Sequence, residues 1–280
     1  MRELDATKIK ESVKKLCIEA NFYLAFDVID SLKKAYEEEV SPFGKEILKQ
    51  ILENSKIAQE ERLPLCQDCG FTVVFCEIGQ EVVITGGSIR EAINQGVREA
   101  YKEAFLRKSI LNDPIIRKNT GDNTPSIIHF DIVPGDKIKI IIAPKGGGSE
   151  NMSRVSMLTP SDGRSGIINF IVKTVVEAGS NPCPPTIIGV GIGGTFEYAA
   201  YLAKKALLRK VGEPSSDPDT AQLEKEILQK INNSGVGPMG LGGRITSLAV
   251  HIIRHPCHIA SLPVAVNVQC HSARHKEAIL

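Results

Sequence analysis

The residue types that could do chemistry in this chain gather in a few short stretches. The first is Pro64-Leu65-Cys66-Gln67-Asp68-Cys69-Gly70, which sets two thiols, an amide and a carboxylate in one turn. Such a turn can offer a soft metal ligand and an acid/base group to the same small volume. Cys66-x-x-Cys69 has the spacing of half a tetrahedral zinc site, and His255, Cys257 and His258 could complete it. Zinc would leave Gln67-Asp68 and the glycine-rich loops without a task, and the second tight cysteine pair of a zinc ribbon is missing. A second stretch, Gly189-Val-Gly191-Ile-Gly193-Gly194, satisfies G-x-G-x-x-G between a strand and a helix. A nicotinamide-binding fold would then enter a parallel strand ending in an acidic residue. Here the chain passes through Arg209-Lys210-Val211-Gly212 into a Ser/Pro/Asp-rich loop, so close packing or anion approach is the blander role for these glycines.

A third constellation joins Cys66, Cys183 and Cys270, each in a loop or strand end crowded with Gly, Pro or polar residues. Thiolates suit iron–sulfur clusters. Three separated cysteines could hold a cubane and leave one iron without a protein ligand, free to act as a Lewis acid on a hydroxyl and a carboxylate. The other cysteines have plainer readings. Cys17 continues an apolar helical stripe and Cys76 lies within a strand, so both belong to the core.

Composition narrows the classes. The 280 residues carry 34 basic and 33 acidic side chains and no Trp, which gives no electrostatic or stacking footprint for nucleic acid. The N-terminus is polar and no apolar run approaches a membrane span, so the expectation is a cytoplasmic protein without membrane contact. In that compartment seven cysteines argue for buried thiols, a metal site or a nucleophile rather than a disulfide framework.

The elements that must position these residues follow from periodicity. Ile9, Val13, Leu16 and Ala20, then Val28, Ile29, Leu32 and Tyr36, recur at helical spacing, and Ser41-Pro42 opens a third helix. Strands are expected over 71–78 and 82–84, and a helix from Ser88 toward Arg107 with Ser88 and Glu91 as a capping box. Residues 127–133 and 137–143 flank Pro134-Gly135-Asp136 and predict a hairpin. Helices over about 165–178, 196–209 and 220–232, and strands over 186–190, 247–253 and 263–268, complete the pattern. The fold class is α+β: an N-terminal helical layer followed by a mixed β-sheet with packed helices. We expect a helical subdomain over 1–60 and a cluster-binding α+β region over 61–280, within one continuous domain.

Leu65-Cys66-Gln67-Asp68, Ala143-Pro-Lys-Gly146-Gly-Gly-Ser149, Cys183-Pro184-Pro185 and Val268-Gln-Cys270 occur in that order. Together they resemble the α subunit of two-subunit class I fumarate hydratases, the iron–sulfur type, with tartrate dehydratase α subunits as near relatives. The resemblance implies that Cys66, Cys183 and Cys270 bind a [4Fe–4S] cluster. It implies that Gln67 and Asp68 contact substrate, Asp68 being placed for proton transfer. It further implies that Arg107 partners a substrate carboxylate, for which a planar guanidinium is apt. Gly146, Gly147 and Gly148 would bring backbone amides close to substrate, and His258 matches an active-site histidine, a structural histidine being the alternative. Cys69 departs from the pattern, standing where many relatives have Thr, and Cys257 is unassigned.

The resemblance implies a hydro-lyase for the reversible hydration of fumarate to L-malate, with L(+)-tartrate dehydration as the alternative. The Gly148-Ser149-Glu150-Asn151 form of the loop tilts the choice toward fumarate. Because the chain ends soon after Cys270, a separate β subunit is expected to complete the site, in an α2β2 assembly acting on a small dicarboxylate. A nicotinamide oxidoreductase and a zinc-stapled non-catalytic module are the lower-ranked alternatives.

Overall fold

A computed structural model describes residues 1–280. The elements run β1 (Arg2–Asp5), α1 (Ala6–Phe22), α2 (Phe26–Glu38), α3 (Pro42–Glu61), β2 (Phe71–Gly79), β3 (Val82–Thr85), α4 (Ile89–Glu103), β4 (Ile127–Val133) and β5 (Ile138–Lys145). They continue with α5 (Gly147–Glu150), β6 (Arg154–Leu158), α6 (Gly163–Ala178), β7 (Thr186–Gly194), α7 (Phe196–Ala206), α8 (Pro218–Asn232), β8 (Ser247–Cys257), β9 (Leu262–Gln269) and β10 (Lys276–Ile279). The fold class is α+β. No helix is long and apolar enough to cross a membrane. The chain forms two compact units, one of residues 1–24, 55–147 and 274–280, the other of residues 25–54 and 148–273. The helical segment 1–60 is therefore shared between them, because α1 and α2 bury their apolar stripes in different cores.

In the first unit, β10, β5, β2 and β4 form a sheet in that order, and β1 pairs with β3 in parallel. Helices α1 and α4 cover the sheet through Ile9, Val13, Ile93, Val97 and Tyr101, which pack with Val74, Ile140 and Ile142. The expected hairpin between β4 and β5 does not form. Strand β2 lies between them, parallel to β4 and antiparallel to β5. The physical reason is burial: Thr72 to Cys76 is buried throughout, whereas β4 is largely half-exposed, so the more apolar strand takes the inner place. The capping box of α4 is also absent. Ser88 is the N-cap residue but its side chain makes no cap bond, and Glu91 pairs with Arg98 at 2.6 Å instead.

In the second unit, β6, β9, β7 and β8 form the sheet. Helices α6 and α8 cover one face with Ile171, Val175 and Ile227 against Val190, Val250 and Val266. Helix α7 covers the other face through Ala199 and Ala203. This explains the glycine-rich run. A Cβ on Gly189 would meet the Ala203 carbonyl oxygen at 2.1 Å, and one on Gly191 would meet that of Ala199 at 2.1 Å. Both lie inside β7, beneath α7, where glycine allows the helix to approach rather than opening a phosphate-binding turn. Strands β1, β6 and β10 are short and carry no alternation that sets them apart in sequence.

Candidate active site

The turn from Cys66 to Gly70 is held from several sides within the first unit. Tyr101, fully buried on α4, donates its hydroxyl to the Cys69 carbonyl at 2.8 Å. Asn123 donates to the Gly70 carbonyl at 3.1 Å, and Arg274 to the Asp68 carbonyl at 2.8 Å. Just upstream, the Leu65 amide donates to the Asn21 carbonyl at 2.9 Å. Buried carbonyls need donors, and here three side chains distant in sequence supply them. Arg274 and Asn123 were invisible to periodicity because each is a lone polar residue in irregular chain, and Tyr101 looked like ordinary helix core. The Asn119-Thr-Gly-Asp-Asn-Thr-Pro125 loop was the one available signal, since its composition demands a tight turn.

Asp68 uses both carboxylate oxygens. Oδ1 accepts the Gly70 amide at 2.9 Å and Oδ2 accepts the Gly147 amide at 2.7 Å. The first bond is an Asx-type turn, and the second ties the start of the glycine loop to the turn. A Cβ on Gly146 would stand 3.0 Å from Asp68 Oδ2, close enough that the carboxylate would have to give way by a few tenths of an ångström. The structure thus brings Asp68, Gly146 and Gly147 together. Gly148 is the first residue of the second unit, where its backbone passes Asn181. Gln67 is exposed and accepts from the Cys66 thiol at 3.6 Å.

Arg107 follows the end of α4. Its side chain is exposed, and its backbone amide donates to Cys69 Sγ at 3.2 Å. Cys69 itself faces the core, where burial pushes its thiol pKa up, against the Arg107 amide bond that lowers it. Burial likewise pushes Cys17 and Cys76 up to about 12, so these three thiols resist ionisation and suit packing better than ligation. Cys66 is half-buried, and its sulfur takes the Asp68 amide at 3.4 Å.

In the second unit Cys183 and Cys270 lie close together. The His271 backbone amide donates to the Cys183 carbonyl at 3.4 Å, and His271 Nδ1 stands 2.9 Å from the same oxygen. Cys183 has φ +55 within the proline-rich segment, and the Gln269 side-chain amide donates to Cys270 Sγ at 3.4 Å. Both cysteines are half-buried. A cysteine sulfur that receives an N–H, as Cys270 does, is a chemically suitable ligand for an iron–sulfur cluster.

His258 is placed differently. It stands in the exposed β8–β9 turn, at the end of β9 opposite Cys270. Eight strand residues at about 3.4 Å each put roughly 25 Å between the two ends. His258 Nδ1 accepts the Ala260 amide at 3.1 Å, and the ring lines a cavity of about 730 Å³ with Arg164, Gln222, Arg254 and Ser261. Cys257 donates to the Ser261 carbonyl and His255 Nδ1 contacts the Pro256 carbonyl. No three His, Cys, Asp or Glu side chains converge as ligands of one metal ion.

Comparison with known proteins decides the family. The model of the fumarate hydratase (fumerase) family matches residues 10–279. The chain belongs to the fumarate hydratase family. Among its curated relatives within this group is a Methanocaldococcus jannaschii protein named "Putative L(+)-tartrate dehydratase subunit alpha", 49% identical over 273 residues, 95% of each chain. An Escherichia coli UTI89 protein named L(+)-tartrate dehydratase subunit alpha is 33% identical over 271 residues, covering 95% of this chain and 89% of its own. The corresponding protein of E. coli K12 is 32% identical over the same length. In this chain Asp68, Gly146, Gly147 and Arg107 lie in the first unit, while Cys183 and Cys270 lie in the second.

Proposed function

We propose that this chain is the α subunit of an iron–sulfur hydro-lyase that interconverts fumarate and L-malate. The observation that carries the reading is Asp68, fixed by the Gly70 and Gly147 amides two residues after a half-buried thiol that receives the Asp68 N–H. Cys66, Cys183 and Cys270 would hold a [4Fe–4S] cluster, which when bound supplies a Lewis-acidic iron for a substrate hydroxyl and carboxylate. Thiols that bind different irons of a cubane stand further apart than ligands of one ion, so this donor set is compatible with the absence of a single-ion ligand group.

The chain's own residues then have separate tasks. Asp68 moves the proton, held in position by the two amides. Arg107 offers a planar guanidinium to a substrate carboxylate, and Gln67 an amide beside it. Gly146, Gly147 and Gly148 keep the loop free of side chains where a small dicarboxylate must approach. His258 stands a strand length from Cys270 of its own chain, so an α2β2 assembly gives it a neighbouring copy's site to serve. A separate β subunit would supply the remaining cations; the relatives named as α subunits support that need. L(+)-tartrate dehydration is the second reading, favoured by the names those relatives carry.

Anaerobic purification of the αβ complex tests the reading. About four irons per α chain with matching sulfide are expected; zinc without sulfide overturns it. Cys66→Ser should empty the site while Cys69→Ser keeps its iron. Comparing malate with tartrate then decides the substrate, and turnover of tartrate alone replaces the first reading with the second.

A further inference from the structure

Cys69 is a thiol that the proposed chemistry leaves unused, yet its sulfur makes two specific contacts. Sγ accepts the Arg107 amide at 3.2 Å and donates to the Cys66 carbonyl at 3.8 Å. The residue is 1% exposed, packed with Val74, Tyr101 and Leu106. Its position on both sides of a polar contact is possible because a neutral thiol is at once a weak donor and a weak acceptor.

The segment that receives this tie needs one. Helix α4 ends at Glu103, and the chain reverses through Phe105 at φ +52. Leu106 is buried and its amide bonds the Tyr101 carbonyl at 3.1 Å. Arg107 comes next, and Cys69 Sγ takes its N–H. Two residues on, the Ser109 amide donates to Asn123 Oδ1 at 2.8 Å, while the same Asn123 side chain reaches the Gly70 carbonyl. The strand-entry turn and the arginine segment are therefore joined twice, by Cys69 directly and by Asn123 as a bridge. Of the two, only the Cys69 bond acts on the backbone of Arg107 itself.

We propose that Cys69 is a positioning residue for Arg107: its buried thiol bolts the arginine backbone to the turn that carries Cys66 and Asp68. The spacing between the carboxylate-binding arginine and the proton-transferring carboxylate is set by this sulfur. The proposal rests on the reading of Arg107 as a substrate partner. It also separates Cys69 from metal ligation, since a sulfur committed to the core side of the turn serves the backbone rather than an ion.

The test uses the αβ complex with Cys69→Val, Cys69→Ser and, as reference, Arg107→Met. Valine keeps the site filled with an apolar, slightly larger side chain and removes donor and acceptor; serine keeps both. For Cys69→Val, loss of one hydrogen bond predicts a rise in KM for malate of about 3- to 10-fold, kcat within about twofold, and unchanged iron and sulfide. Amide hydrogen exchange in the peptide spanning residues 105–109 should quicken by a similar factor. Cys69→Ser should recover most of both effects. Wild-type KM and exchange in Cys69→Val overturn the proposal, as does loss of iron in both Cys69 variants, which would make the thiol a ligand. An unchanged KM in Arg107→Met refutes the arginine's assigned role instead, and the exchange measurement still decides whether Cys69 anchors the segment.

Discussion

Arg274 Nη2 donates to the Asp68 carbonyl at 2.8 Å while its Nη1 donates to Asn21 Oδ1 at 3.0 Å. One guanidinium thus links the C-terminal segment, helix α1 and the turn that follows Cys66. It is 4% exposed, its Nε finds no acceptor, and no carboxylate pairs with it. A buried cation with so few partners is costly, and the two hydrogen bonds it makes fix the turn against α1.

Replacing Arg274 should therefore loosen the turn as well as the fold. Arg274→Lys keeps a charge but cannot span both acceptors, and leaving one buried acceptor unmet costs about 1–3 kcal/mol. Urea unfolding of the variant measures that loss. An Arg274→Lys midpoint equal to wild type would show that the carbonyl of Asp68 is satisfied without it.

The glycine loop yields a graded pair of variants. A methyl on Gly146 would stand 3.0 Å from Asp68 Oδ2, against 3.8 Å for one on Gly147. Gly146→Ala must displace the carboxylate, so turnover should fall at least about tenfold, the scale of small misplacements at a reacting group. Gly147→Ala should fall less. Steady-state kinetics on both, with thermal unfolding to confirm an intact fold, checks the order; equal losses would sink the steric account.

A pH effect follows from Glu39 in the second unit. Burial raises its pKa, but amides of Ser41, Arg244, Ile245 and Val40 together outweigh that and hold it below the ordinary carboxylate value. The unfolded chain then binds the proton more readily than the folded one, so this contribution is full above about pH 4.5 and fades as pH falls through the depressed folded value. Glu39→Gln turns an acceptor into a donor facing the Arg244 and Ile245 amides, and should cost about 2 kcal/mol at pH 7. The gap between variant and wild type in urea unfolding should narrow toward pH 3; a gap that stays constant would refute the linkage.

Thiol labelling separates the cysteines by environment. Cys17 and Cys76 are buried with pKa values pushed to about 12, whereas Cys257 is exposed. In the native apo chain at pH 8, a disulfide reagent should modify Cys257 quickly and leave Cys17 and Cys76 untouched until denaturant is added. Peptide mapping reads the sites, and rapid labelling of Cys17 would contradict its place on the buried face of α1.

Local pattern alone determined the elements that carry their own signal. The apolar stripes of α1 and α2, the strand at Phe71–Gly79 and the helix α6 each follow from spacing and backbone chemistry within one short window. The Cys66-Gln67-Asp68 turn was legible as a candidate site for the same reason, since its three polar side chains are contiguous. Tertiary structure decided what depends on long-range competition. Strand β2 displaced β5 from β4 because burial, a property of the whole sheet, outranked a favourable turn. The glycine run of β7 became a packing surface because α7 lies on it. Cys69 became an anchor for Arg107, and Arg274 a clamp on Asp68, through hydrogen bonds across 38 and 206 residues. No local window contains such partners: a lone polar side chain has no periodicity, and its meaning is fixed only when folding strips away water and leaves a particular carbonyl or amide to satisfy.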